Sequence, residues 1–186
     1  AGLALLQPYP FERLATLLRH SEPALNPVIP LTMGEPQHPP PDGAIALLQE
    51  HALLVAKYPA TQGRAQLRAA IAKWLEKRFV LSSVDPEHHV LPLNGTREGL
   101  FALAQAVVSS QQAGAVICPN PFYQIYEGAA LLAGSQPLLL NCDEHNGFLP
   151  DIDLVTSAQW QSCQLVYLCT PGNPGGAVMS SHQLQR

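Results

Sequence analysis

Apolar residues fall in short blocks along this chain, and their spacing switches between helical steps and short continuous runs. Phe11, Leu14, Leu17 and Leu18 share one face behind Pro8 and Pro10, which predicts a helix over 11–19. A proline-rich crossing follows over 22–41; Val28, Ile29 and Leu31 within it predict a short strand or an extended segment. Asp42 is placed to cap a helix running to about Lys57. Leu67, Ala70, Ile71, Trp74, Leu75 and Phe79 recur at three- and four-residue steps, an amphipathic helix over 64–79.

From there the pattern alternates. A short strand is expected over 88–93, a helix over 94–108, a strand over 115–118, a helix over 123–132 and a strand over 137–141. After a loop rich in Asp, Asn and Pro, the run Leu165-Val166-Tyr167-Leu168-Cys169 predicts another strand, and 180–186 reads as the start of a helix. Alternating strands and helices with short connections argue for an α/β fold with a mostly parallel, helix-covered sheet.

Bulk properties narrow the class. Of the 186 residues, 47% are hydrophobic and 13% charged, which suits a buried core and excludes a disordered tail. A formal net charge of −4 gives no reason to expect nucleic acid or an anionic membrane as partner. The densest basic group, 73–78, includes Glu76 and reads as a solvated helix face. No run approaches the roughly 20 apolar residues of a membrane span. Cys118, Cys142, Cys163 and Cys169 form no CxxC pair and are expected to be buried free thiols, as in a reducing cytosol. The chain is therefore expected to be cytoplasmic.

Three turns carry candidate chemistry. Gly95-Thr96-Arg97 stands between a predicted strand and a helix N-terminus, where backbone N–H groups, a hydroxyl and the helix dipole make an anion cradle; an ordinary turn with a threonine cap has the same look. GxGxxG and GxxxxGKS/T are both absent, which argues against a nucleotide. Tyr123, held behind Pro119 and Pro121, could stack on a flat heteroaromatic ligand or serve packing alone. Asn173, in Thr170-Pro171-Gly172-Asn173-Pro174-Gly175-Gly176, could bond a ring oxygen or its own turn. His88 and His89 beside Glu87 have no second ligand cluster, so a surface loop is expected and no metal site.

Taken in this order, the turns resemble the fold-type I pyridoxal-phosphate (PLP) enzymes, specifically the class I and II aminotransferases. The resemblance rests on Gly34-Glu35-Pro36, Tyr58-Pro59 with Gly63, Leu93-Asn94-Gly95-Thr96-Arg97-Glu98, residues 119–128 and Pro171-Gly172-Asn173-Pro174. The opening Leu6-Gln7-Pro8-Tyr9-Pro10-Phe11-Glu12-Arg13-Leu14 and the stretch 120–128 look like the succinyldiaminopimelate branch of that family. The resemblance implies that Gly95, Thr96 and Arg97 hold the cofactor phosphate. Tyr123 would stack on the pyridine, Asn173 would bond its O3′, and Tyr58 would reach the phosphate across a homodimer interface with shared active sites. Gly34 would lie near the substrate carboxylate. It further implies residues 1–35 as an N-terminal arm with part of a small domain, and 36–186 as the first part of the large PLP-binding domain.

The implied activity is transfer of an amino group between glutamate and N-succinyl-2-amino-6-ketopimelate, in lysine and diaminopimelate biosynthesis. Alternatives within the class are another amino-acid aminotransferase or a PLP-dependent C–S lyase; outside it, a non-catalytic PLP- or amino-acid-binding fragment. Gly175-Gly176 departs from the family's usual Thr-Gly or Ser-Gly. The family's Schiff-base lysine follows the Asn-Pro turn, whereas Lys57, Lys73 and Lys77 all precede it. The catalytic residue is thus unknown, and the chain is expected to be a fragment, inactive by itself.

Overall fold

The computed structural model describes residues 2–22, 27, 29, 31–32, 34–112 and 114–185. They form two compact units: Pro10–Pro92, and Ala1–Tyr9 together with Leu93–Arg186.

The first unit is helical. Helix α1 spans Pro10–Leu18, with proline at its first position, where a missing N–H costs nothing. Leu17 and Leu18 near its end are exposed, at 77% and 52%. Helix α2, Ala44–Glu50, is shorter than the sequence pattern suggests, and Asp42 does not cap it. Gly43 occupies the N-cap with a left-handed φ of 84°, no side chain caps the end, and a 3-10 turn over Ala52–Ala56 replaces the expected continuation. Helix α3, Ala65–Phe79, forms as expected, yet Leu67, Trp74 and Phe79 are exposed while Arg68 and Ala72 are buried. Glu76 on it does more than face water: its carboxylate accepts from the Val84 N–H at 2.9 Å. The strand expected over 88–93 does not form; Asp85–His89 is a turn closed by a 2.9 Å bond from the His89 N–H to the Asp85 carbonyl. The extended segment expected around Val28 falls partly outside the described residues, as do Met33 and the terminal Arg186.

The second unit carries the sheet. Helix α4 (Thr96–Val107) precedes strand β1 (Ala115–Asn120), then come α5 (Ile125–Leu132), β2 (Gln136–Asn141), α6 (Ser157–Ser162), β3 (Cys163–Val166) and α7 (Ser181–Gln185). The strand order is β2-β1-β3, with β1 parallel to both neighbours. A central parallel strand is covered on both faces, and β1 shows it: Val116, Ile117 and Cys118 are each 0% exposed. Val116 and Cys118 point into a cluster with Ala104, Tyr126, Ala129, Ala130 and Tyr167, beneath α4 and α5. Ile117, one residue out of phase, joins Leu140 and Val155 on the other face. Val116, Ile117, Leu140 and Val155 each contribute about 1.5–3 kcal/mol by leaving water. Small residues at Ala129 and Ala130 let α5 approach the sheet closely.

Three details differ from the sequence reading. Strand β1 runs on through Pro119 and Asn120, because Asn120 still pairs with Asn141 and its carbonyl accepts from the Cys142 N–H at 2.7 Å. Strand β3 begins earlier, at Cys163, and ends at Val166. Helix α6 has no counterpart among the predicted elements, although Thr156 and Gln159 form a capping box whose T-x-x-Q spacing is visible in the sequence. Of the four free cysteines only Cys118 is buried; Cys142, Cys163 and Cys169 are half-buried.

Candidate functional site

The site is built at the carboxyl edge of the sheet, where open α/β sheets receive ligands. Gly95 is the N-cap of α4, and no side chain caps the helix. Glu98 in the first turn folds back instead, accepting from the Asn94 N–H at 2.9 Å. The N–H groups of the first turn thus point outward with the positive end of the helix dipole behind them. A Cβ on Gly95 would meet nothing within 4 Å, so the space before this helix end is open and a backbone can approach an anion there.

Arg97 adds a full charge. Its Nε donates to the Tyr123 hydroxyl at 3.1 Å, and its guanidinium carbon lies 5.6 Å from that ring's centroid. Hydrogen bonds that Arg97 donates to Tyr123 and, less strongly, to Tyr9 hold its pKa above the ordinary arginine value. Tyr123 is half-buried, with its ring edge-on to Tyr126 at 5.9 Å. A cation, uncapped N–H groups and an aromatic face therefore converge, as a phosphate joined to a flat ring requires.

Asn173 stands exposed in the turn after β3. The turn is closed by bonds from the Gly172 N–H to the Ala177 carbonyl (2.8 Å) and from the Gly176 N–H to the Gly172 carbonyl (2.7 Å), with Gly176 at φ 76°. The Thr170 hydroxyl fixes its exit by accepting from the Met179 N–H at 3.0 Å. The Asn120–Pro121, Thr170–Pro171 and Asn173–Pro174 peptide bonds are cis. Asn173 and Cys169 share a cleft of about 50 Å³ with Pro119, Pro121 and Cys142, so the turns after β1, β2 and β3 meet. Gly95, Thr96, Arg97, Tyr123 and Asn173 all belong to this unit.

Tyr58 and Gly34 belong to the helical unit. Tyr58 is 99% exposed, at the start of a loop ending in Gly63, whose φ is 74°. The loop is gripped by Arg68, which donates to the Gln62 and Gly63 carbonyls at 3.1 and 2.6 Å. Gly34 is exposed, with open space where a Cβ would stand. His88 is exposed and paired with Asp85. Among the described residues no group of three or more His, Cys, Asp or Glu could hold a metal ion, and no helix is long and apolar enough to cross a membrane.

Sequence reasoning missed the groups that support the site. Tyr126 and Tyr167 are both 4% exposed behind Tyr123. The Asn120 side chain donates to the Asn141 side chain at 2.8 Å, joining the ends of β1 and β2. Only strand register brings residues 21 positions apart together.

Comparison with known proteins identifies the family and the fold. Residues 26–186 match the family model described as aminotransferase class I and II. The LL-diaminopimelate aminotransferase of Desulforudis audaxviator is 32% identical over 183 residues, 97% of this chain and 46% of that protein. The crystal structure of an aminotransferase from Neisseria meningitidis superposes with a TM-score of 0.90 at 38% identity, over 100% of this chain and 47% of that one. Aminotransferase AspB from Helicobacter pylori gives 0.87 at 34%, over 96% and 46%. The chain thus spans about half the length of the relatives it matches. With its parallel sheet, flanking helices and converging turns, the chain belongs to the class I and II aminotransferases.

Proposed function

We propose that the protein carrying this chain is an aminotransferase of diaminopimelate metabolism, and that this chain supplies its cofactor cradle. Class I and II aminotransferases use pyridoxal phosphate, and their substrates are small molecules. The residues present fit that group: the uncapped end of α4, the open space before Gly95 and the Arg97–Tyr123 pair suit a dianionic phosphate and an aromatic ring. That convergence is the observation carrying the proposal.

When bound, PLP supplies the electron sink on which an amino group is exchanged. The chain's residues hold it there. Gly95 and Thr96 offer backbone N–H groups to the phosphate, and Arg97 neutralises it. Tyr123 covers one ring face and keeps water from it, while the Asn173 amide donates to the ring oxygen. Tyr58, fully exposed, reaches the phosphate of a second copy in a homodimer, and Gly34 lies by the substrate carboxylate. We assign residues 1–35 to an arm and small domain, residues 36–186 to the large domain, and the protein to the cytoplasm.

Within this reading, glutamate is the donor and N-succinyl-2-amino-6-ketopimelate the acceptor, supported by the opening segment and residues 120–128. A second acceptor, the keto form of unsubstituted LL-diaminopimelate, is favoured by the name of the Desulforudis relative. The experiment is to purify the full protein and titrate it with PLP. Absorbance is then followed as glutamate and each keto acid are added in turn. A PLP spectrum that shifts with glutamate and reverts with the succinylated keto acid is expected. Reversion only with the unsubstituted acid selects the second reading, and no PLP binding removes both.

A further inference from the structure

Tyr167 follows β3 directly, and its N–H donates to the Ile117 carbonyl at 2.8 Å, so its backbone is fixed to the central strand. Its hydroxyl donates to the Leu100 carbonyl at 2.7 Å, 67 positions away and inside α4. Its ring stacks on Tyr126 with centroids 4.4 Å apart and planes 9° from parallel. Tyr126 meets Tyr123 edge-on at 5.9 Å, and Tyr123 accepts from Arg97 Nε at 3.1 Å. Arg97 lies one turn before Leu100 on the same helix. The contacts therefore close a circuit from α4 through Tyr167, Tyr126 and Tyr123 back to α4.

Burial alone does not call for the hydroxyl. A phenylalanine would fill the same 4%-exposed position without desolvating an O–H. The Leu100 carbonyl, inside α4, already serves that helix's own ladder. What the hydroxyl adds is a fixed distance between the sheet and the helix end. Phosphate hydrogen bonds tolerate errors of only a few tenths of an ångström, against a helical rise of about 1.5 Å per residue.

We propose that Tyr167 is a positioning residue: acting through Leu100 on one side and Tyr126 on the other, it sets the N-terminus of α4 and the ring of Tyr123 in register for one ligand. This rests on the reading of the site as a PLP cradle.

The test uses Tyr167→Phe, Tyr123→Phe and the double variant of the full protein. Hydrogen exchange of the α4 amides from Gly99 onward, which the helix's own hydrogen bonds protect, is measured without cofactor; PLP affinity and the circular dichroism of bound PLP are measured with it. Loss of one buried hydrogen bond corresponds to roughly fivefold. Tyr167→Phe is expected to speed exchange at α4 and weaken PLP by about that factor, with a reduced dichroic band. The double variant is expected to lose less than the product of the two single effects, because both act on one helix end. Unchanged exchange in Tyr167→Phe overturns the proposal, as do faster exchange with unchanged PLP affinity and strictly multiplicative losses. Wild-type protein that binds no PLP overturns the functional reading instead, and the exchange rates alone then decide whether Tyr167 holds α4.

Discussion

Arg68 and Glu87, 19 positions apart, form a 2.6 Å ion pair in which the arginine side chain is 7% exposed and the carboxylate 55%. The remaining donors of Arg68 reach the Pro86 carbonyl at 3.1 Å and the carbonyls of Gln62 and Gly63. One buried guanidinium thus ties the loop that begins at Tyr58 to the turn preceding the cradle segment. Its value lies in the three carbonyls more than in the half-exposed carboxylate.

The two partners are therefore unequal. Arg68→Ala is expected to lose about 2–4 kcal/mol of stability, since three carbonyls lose their donor. Glu87→Gln is expected to lose about 1 kcal/mol or less. Urea denaturation of both variants checks this, and equal losses would contradict the assignment.

Tyr123 offers the site a ring and a hydroxyl, and two substitutions separate them. Tyr123→Phe keeps the ring and is expected to weaken PLP binding by a few-fold. Tyr123→Ala removes both and is expected to weaken it about tenfold or more. Asn173→Ala is expected to shift the absorption of bound PLP with the fold intact. Cofactor titration of the three variants, beside far-ultraviolet dichroism for folding, reads these outcomes; wild-type-like binding in all three would sink the role assignments.

The surface pair Asp85–His88, 2.8 Å apart, sets a pH dependence. Its hydrogen bond to Asp85 raises the His88 pKa above 6.5, and its bond to His88 lowers the Asp85 pKa below 3.8. The raised histidine stabilises the fold fully below pH 6.5, and that contribution is lost as pH rises through its folded pKa. The lowered aspartate stabilises above pH 3.8, and that contribution is lost as pH falls through its folded pKa. Both contributions coexist between those values. In an NMR titration, Asp85→Asn is expected to return His88 toward 6.5; no movement would exclude the pairing.

Thiol reactivity should follow burial. Desolvation pushes the Cys118 pKa up to about 12 and raises that of Cys142 less, so neither offers much thiolate near neutrality. Cys118 is also 0% exposed. Alkylation of the native protein followed by peptide mass spectrometry is expected to label Cys169 and Cys163 first, Cys142 later, and Cys118 only on unfolding. Early labelling at Cys118 would mean that β1 is not the buried centre of the sheet.

The α/β class, most helices and the three turns were legible in sequence, because each depends on neighbours a few positions apart. Gly95-Thr96-Arg97 announces a helix end, the Pro-Gly-Asn-Pro-Gly-Gly run announces a tight turn, and apolar spacing announces β1 and α5. The errors share one cause. Residues 88–93 look like a strand only until no partner pairs with them, Asp42 looks like a cap until Gly43 takes the position, and periodicity points to Leu67, Trp74 and Phe79 as the buried face of α3 although Arg68 and Ala72 are what is buried.

What tertiary structure alone decided is distance between residues far apart in the chain. Strand register joins Asn120 to Asn141, a guanidinium joins the loop after Tyr58 to Glu87, and Tyr167 reaches Leu100 while stacking behind Tyr126. Composition and local pattern fix which groups exist and which backbone they favour. The packing of α4 and α5 on β1 fixes which of them meet, because side-chain contact depends on the three-dimensional register of elements that no local spacing encodes.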